Sequence, residues 1–120
     1  MSDQCGDTLG ETLIFACAGA AHCGQVTNRA GLELTRDGVG NLLCVASIAA
    51  GIQEKLDRAV KAGRRVVIDG CEHECARKVI EKAGLPVDVH LEVSTIGVVR
   101  APEKPDLDGD TQRVVDTVRG

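Results

Sequence analysis

Two short runs constrain this chain more than anything else in it: 12–17 (TLIFAC) and 65–69 (RVVID) are apolar at consecutive positions rather than at alternate ones. Successive side chains of a strand point to opposite faces, so a run of this kind must be buried on both sides, in a sheet covered front and back by helices. The intervening sequence supplies those helices. Between 22 and 36, Val26, Ala30 and Leu34 recur every four residues with Arg29, Glu33 and Arg36 among them, and Asp37, Gly38 and Gly40 close the pattern. Residues 41–46 (NLLCVA) read as a second strand. Ile48, Ile52, Leu56, Ala59 and Val60 then trace one helical stripe, ending at Gly63. Beyond 65–69 a third helix is expected over 71–83, with Ala76, Val79, Ile80 and Ala83 inward and Gly84 as its terminator. Residues 87–93 alternate Val87, Val89, Leu91 and Val93 with Asp88, His90 and Glu92, the pattern of a sheet edge with one wetter face. Residues 95–107 read as a loop. A last helix, starting at Asp108 or Asp110, carries Val114, Val115 and Val118.

Strands alternating with helices call for a mostly parallel sheet joined by right-handed crossovers. The expected architecture is a three-layer, Rossmann-like α/β domain with four strands in the order 2-1-3-4. At 120 residues the chain has the size of one domain, here 12–120 behind a polar segment, 1–11. The 14 Lys and Arg against 18 Asp and Glu give a net charge of -4, which opposes binding to nucleic acid or an anionic membrane. Phe15 is the sole aromatic residue, so no platform for stacking bases is available. The longest largely apolar run, 42–52, falls short of the roughly 20 residues that a membrane span needs. The opening MSDQCGDTLGE lacks the basic head and apolar middle of a signal peptide. The expected compartment is therefore the cytoplasm, where structural disulfides are rare, and the six cysteines need another reason.

Their positions suggest one. Cys17 ends the first strand, Cys44 falls near the end of the second, and Cys71 follows the third by two residues. All three lie toward carboxyl ends, the edge at which open α/β sheets bind ligands. With strand one between the other two, the outer strands are roughly 10 Å apart, a gap that inward-leaning side chains close. Cys75 belongs to CEHEC, whose spacing on a helix starting at 71 places Cys71 and Cys75 on one face, where the helix dipole favours thiolates. Cys17, Cys44, Cys71 and Cys75 thus form a candidate thiolate site for zinc, which takes four such ligands at about 2.3 Å.

Other residues near this edge have weaker claims. Cys23 is a rival ligand, and it occupies the place where a phosphatase-type phosphate loop would need arginine, which argues against that chemistry. Cys5 reads as an incidental exposed thiol. His22 and His73 are candidate ligands or outer donors, with solvent-facing roles preferred, and His90 is assigned none. Asp69 either orients a ligand through a hydrogen bond or caps the helix that follows. The run 106–110 (DLDGD) lacks the ligand order and closing Glu of an EF-hand and is explained by helix capping. Any one cysteine taken alone also reads as a small buried hydrophobe.

The segment 68–78 (IDGCEHECARK) resembles the signature of the DGC domain family, small bacterial and archaeal proteins described as zinc-binding and named for the Asp-Gly-Cys triplet. CAGAAHCGQ is similar to the family's first cysteine loop, more usually CSGGSNVGQ, and LTRDGVGNLLCVASI to the segment with its second cysteine. The resemblance runs from about Leu13 to Ile96 and implies a ligand set of Cys17, Cys44, Cys71 and Cys75. Ala18 and Cys23 depart from the family pattern. The leading expectation is a zinc-binding protein for metal sensing or delivery. Alternatives are thiol redox chemistry, with Cys71 resolved by Cys75, Cys17 or Cys23, an iron-sulfur cluster on the same cysteines, and an interaction module whose cysteines fill the core. Sequence alone does not decide whether the chain is an enzyme.

Overall fold

A computed structural model describes residues 10–120; Cys5 and most of the polar N-terminal segment, residues 1–9, lie outside the described residues. At the centre of the sheet, β1 (Thr12–Ala16) pairs in parallel with β3 (Arg64–Asp69), from Thr12↔Arg64 to Ala16↔Ile68. The short β2 (Asn41–Leu42) extends β1 on its outer side, and β4 (Val89–Glu92) extends β3. All pairings are parallel and the order is β2-β1-β3-β4, the expected topology.

The consecutive apolar residues of β1 and β3 are buried on both faces. Ile14, Val66 and Ile68 pack with Val26, Ala30 and Leu34 of α1 (His22–Arg36) and with Val114 and Val115 of α5 (Leu107–Arg119). Leu13, Phe15 and Val67 face the other way. They pack with Ile48 of α2 (Val45–Ala49), Ala59 of α3 (Gln53–Lys61), and Ala76 and Ile80 of α4 (Cys75–Lys82). Helix, sheet and helix make the three layers of a Rossmann-like fold. Among the described residues, no helix is long and apolar enough to cross a membrane.

Several expected elements take a different form. The second strand stops at Leu42, and residues beyond Cys44 turn helical, because a short apolar run has the same pattern in a buried strand as in a buried helix. The single stripe expected from Ile48 to Val60 is broken. Gly51 adopts φ +73°, its amide donates to the Ile48 carbonyl (3.1 Å), and the Ile52 amide donates to Ser47 (3.1 Å). That paired closure ends α2 before α3 begins and leaves Ile52 and Val60 largely exposed. The loop expected after β4 opens with a 3₁₀ turn, Val93–Ile96, whose Val93 is fully buried. Helix α5 starts earlier than expected, with the Asp106 carboxylate accepting the Gly109 amide (3.0 Å).

The lower end of the sheet is tied by Glu11, whose carboxylate accepts from Arg58 Nε (2.7 Å) and Nη2 (3.0 Å) and from Asn41 Nδ2 (3.0 Å). Arg58 beside it holds its pKa below the ordinary value of 4.5. A carboxyl depressed in the folded state stabilises above its unfolded pKa, and that stabilisation is lost as pH falls through the lower folded value. We expect Glu11→Gln to lower stability at pH 7 by about 1 kcal/mol or less, since the pair is partly solvated, with the difference from the parent shrinking as pH falls from the ordinary value of 4.5 through the lower folded one; urea melts across pH measure it. Phe15→Ala, which empties a fully buried site, is expected to cost about 3–5 kcal/mol in the same assay.

Candidate metal centre

The chain leaves β1 for α1 on one face and leaves β3 for α4 on the other. Connections that diverge in this way open a crevice at the carboxyl ends of the two strands, and Cys17 and Cys71 stand there. Cys17 directly follows β1; its amide donates to the Ile68 carbonyl (2.9 Å), and its half-buried side chain packs with the Leu13 and Phe15 cluster. Cys71 follows the Gly70 bend after β3 and packs, half-buried, against the opposite cluster.

Cys23, in the first turn of α1, comes between them. It is 4% exposed. Burial pushes its thiol pKa up, as would charge on Cys71 and then on Cys17; a hydrogen bond from the Gly24 amide and the positive charge of Arg100 pull the other way. Cys23 is therefore within electrostatic reach of both neighbouring thiols. The loop that carries it is closed by the Gln25 side chain donating to Gly19 (2.9 Å) and by the Thr27 hydroxyl donating to the Cys17 carbonyl.

Glycines permit this approach. A Cβ on Gly24 would stand 2.5 Å from the Gly19 backbone nitrogen, and one on Gly70 would stand 3.0 Å from Cys23 Sγ. Side chains at either place would force the backbones apart.

The remaining two candidate ligands lie further out. Cys44 is the exposed residue that precedes α2, and Cys75 is the exposed first residue of α4. The expected i,i+4 arrangement of Cys71 and Cys75 is not found, because the helix starts at Cys75 rather than Cys71. Residues 70–74 form a turn in which Glu74 has φ 49°. The cause is Asp69. Its carboxylate, 1% exposed, accepts the amides of Ala76 (2.8 Å) and Arg77 (3.2 Å), so the helix N-terminus is fixed from seven residues upstream. Of its two expected roles, capping is the one the hydrogen bonds display. As they stand, no three Cys, His, Asp or Glu side chains among the described residues form a ligating group.

The histidines also differ from expectation. His22 is not solvent-facing: its side chain is 8% exposed, and Nε2 donates to Asp110 Oδ2 (2.8 Å), joining α1 to α5. His90, assigned no role from sequence, donates through Nε2 to Asp69 Oδ2 (2.9 Å). Neither partnership has a local sequence signal; only the alternation of the edge strand put His90 on the face that Asp69 shares. His73 is exposed, as expected. In the 106–110 run Asp106 caps α5, Asp108 pairs with Arg29 (2.8 Å) and Asp110 holds His22.

Thiols around a crevice at the switch point are the soft donor set that zinc or an iron-sulfur cluster takes. Cys17, Cys23 and Cys71 have that donor chemistry but, as they stand, are not gathered into a ligating group.

Comparison with known proteins gives a match of residues 13–118 to the DGC domain model. The chain is also similar to the anaerobic and virulence modulator AnvM of Pseudomonas aeruginosa, at 26% identity over 87 residues, covering 72% of this chain and 66% of that protein. The chain thus spans just under two thirds of that relative's length. No solved structure matches it.

Asp69→Ala removes the acceptor of three donors at once, and we expect it to cost about 2 kcal/mol, from a lost helix cap and buried donors left unpaired. Hydrogen exchange at the Ala76 and Arg77 amides should accelerate more than exchange in β1, which localises the effect.

Proposed function

Because this chain belongs to the DGC domain family, we propose that the cysteine-lined carboxyl edge of its sheet is a metal centre, with zinc as the ion and Cys17, Cys44, Cys71 and Cys75 as its ligands. Family membership supports metal binding in general. The observation that carries the reading furthest is that Cys17 and Cys71 follow adjacent strands whose crossovers diverge, with Cys23 in electrostatic reach of both. Cys44 and Cys75 are exposed on the neighbouring helix starts, free to turn inward on metal binding. A four-sulfur zinc site is closed, leaving no position for water, so the ion supplies structure or is passed on rather than hydrolysing a substrate.

On this reading residues 12–120 act as one domain in the cytoplasm, where thiols are kept reduced and ready to ligate. The name of the Pseudomonas aeruginosa relative describes a modulator, which supports sensing or delivery over catalysis for a shared site. The chain's own residues hold the edge in place: Asp69 fixes the turn bearing Cys71, and the Ile68 carbonyl fixes Cys17.

Elemental analysis of the full chain, purified natively under reducing conditions, tests the proposal. The expected result is about one zinc per chain, in keeping with a single tetrathiolate centre. Cys71→Ser is expected to weaken zinc binding by more than about tenfold, since even outer-shell losses reach that scale. Metal-free protein with every thiol reactive would overturn the proposal in favour of redox chemistry, and a brown anaerobic preparation would replace zinc by an iron-sulfur cluster.

A further inference from the structure

Helix α4 turns Ala76 and Ile80 toward the core. A second face carries Cys75, Lys78, Val79 and Lys82, at i, i+3, i+4 and i+7, and with Glu81 these line an open groove of about 550 Å³. Two rows run along that face at a spacing of four: Cys75 and Val79 make an apolar row, Lys78 and Lys82 a cationic one. Like charges at this spacing repel and weaken a helix unless a carboxylate offsets them. Arg77 takes both acids that flank it, Glu81 at 3.2 Å and Glu74 at 3.8 Å. Neither lysine has an ion pair among the described residues. The neighbouring element offers no relief, for α2 packs against α4, yet residues 42–52 contain no charged side chain, and Ala46, Ala49 and Ile52 of that segment are exposed. The groove therefore combines apolar surface with positive charge that no described carboxylate neutralises.

We propose that this groove docks an acidic amphipathic helix of a partner protein, with an aliphatic row laid on Cys75 and Val79 and carboxylates spaced by four on Lys78 and Lys82. Rows of matching period let charge set register and orientation while apolar contact supplies affinity. An anionic membrane would meet the same lysines, but a net charge of -4 opposes approach to a broad anionic surface far more than to a narrow acidic strip. Selection of the partner lies with two lysines, so metal binding at the strand ends is not required for it.

The probe is a stapled helical peptide bearing leucine and glutamate in adjacent rows that repeat every fourth residue, together with a second peptide that has lysine for each glutamate. Stapling is needed because short isolated helices are marginal in water. Amide shifts of the full chain, followed by nuclear magnetic resonance, report where and how tightly each peptide binds. The glutamate peptide is expected to shift residues 75–82 and 44–52, and the lysine peptide to leave them unmoved. Lys78→Gln/Lys82→Gln is expected to weaken binding roughly tenfold at low salt, through loss of two exposed charge pairs. Lys78→Glu/Lys82→Glu is expected to reverse the preference and take the lysine peptide, an outcome that loss of fold cannot produce. Equal binding of both peptides, shifts confined to other surfaces, unchanged affinity in the glutamine variant or absence of saturable binding would overturn the proposal. So would binding of phosphatidylglycerol vesicles by a chain that ignores the glutamate peptide.

Discussion

A single carboxylate governs the geometry of the cysteine edge. Asp69 closes β3 while almost fully buried, and such a group is costly to desolvate unless donors surround it. Two amides of α4 and the imidazole of His90 meet that need. One side chain therefore sets where the central strand stops, where the following helix begins and how the edge strand is held. The turn between, residues 70–74, has no freedom to become a first helical turn. Cys71 accordingly lies in that turn, half-buried against the core, rather than on the helix surface.

The second constraint is closeness of backbone. The loop after β1 folds back so tightly that Gly24 lies on Gly19, while Gly70 lies under Cys23. These contacts draw the start of α1 over the divergence of the two crossovers. They also divide the thiols into two kinds. Cys23 is buried and Cys17 and Cys71 are half-buried, whereas Cys44 and Cys75 sit exposed at helix starts.

Much of this was legible in the sequence, for a physical reason. Burial on both faces demands consecutive apolar residues, so TLIFA and RVVID declared a covered parallel sheet, and the period of Val26, Ala30 and Leu34 declared the helix between. The strand order followed from the connections. Features set by one side chain acting at a distance were not legible. Nothing within CEHEC says that Asp69 will cap Ala76, so a helix starting at Cys71 was the natural expectation, and with it a face shared by Cys71 and Cys75. The fate of NLLCVA was ambiguous because its apolar residues serve a strand and a helix alike. His22 and Asp110 are 88 positions apart, and only the packing of α1 against α5 makes them neighbours. For the candidate site, the strand ends predicted from sequence are where Cys17 and Cys71 stand, while the burial of Cys23 depends on glycine contacts that no periodicity reveals.

The placement of Phe15 has a consequence of a different kind. Its ring is wholly enclosed on the α4 side of β1, two residues before Cys17, in a chain that has no tyrosine or tryptophan. The near-ultraviolet absorption that tyrosine and tryptophan would give is therefore missing. In a proton spectrum, the phenyl resonances stand apart from all but three imidazoles. The fold thus has a built-in observer: one ring, rigidly mounted beside the first thiol, whose chemical shifts register any repacking of that side of the molecule without a label being introduced.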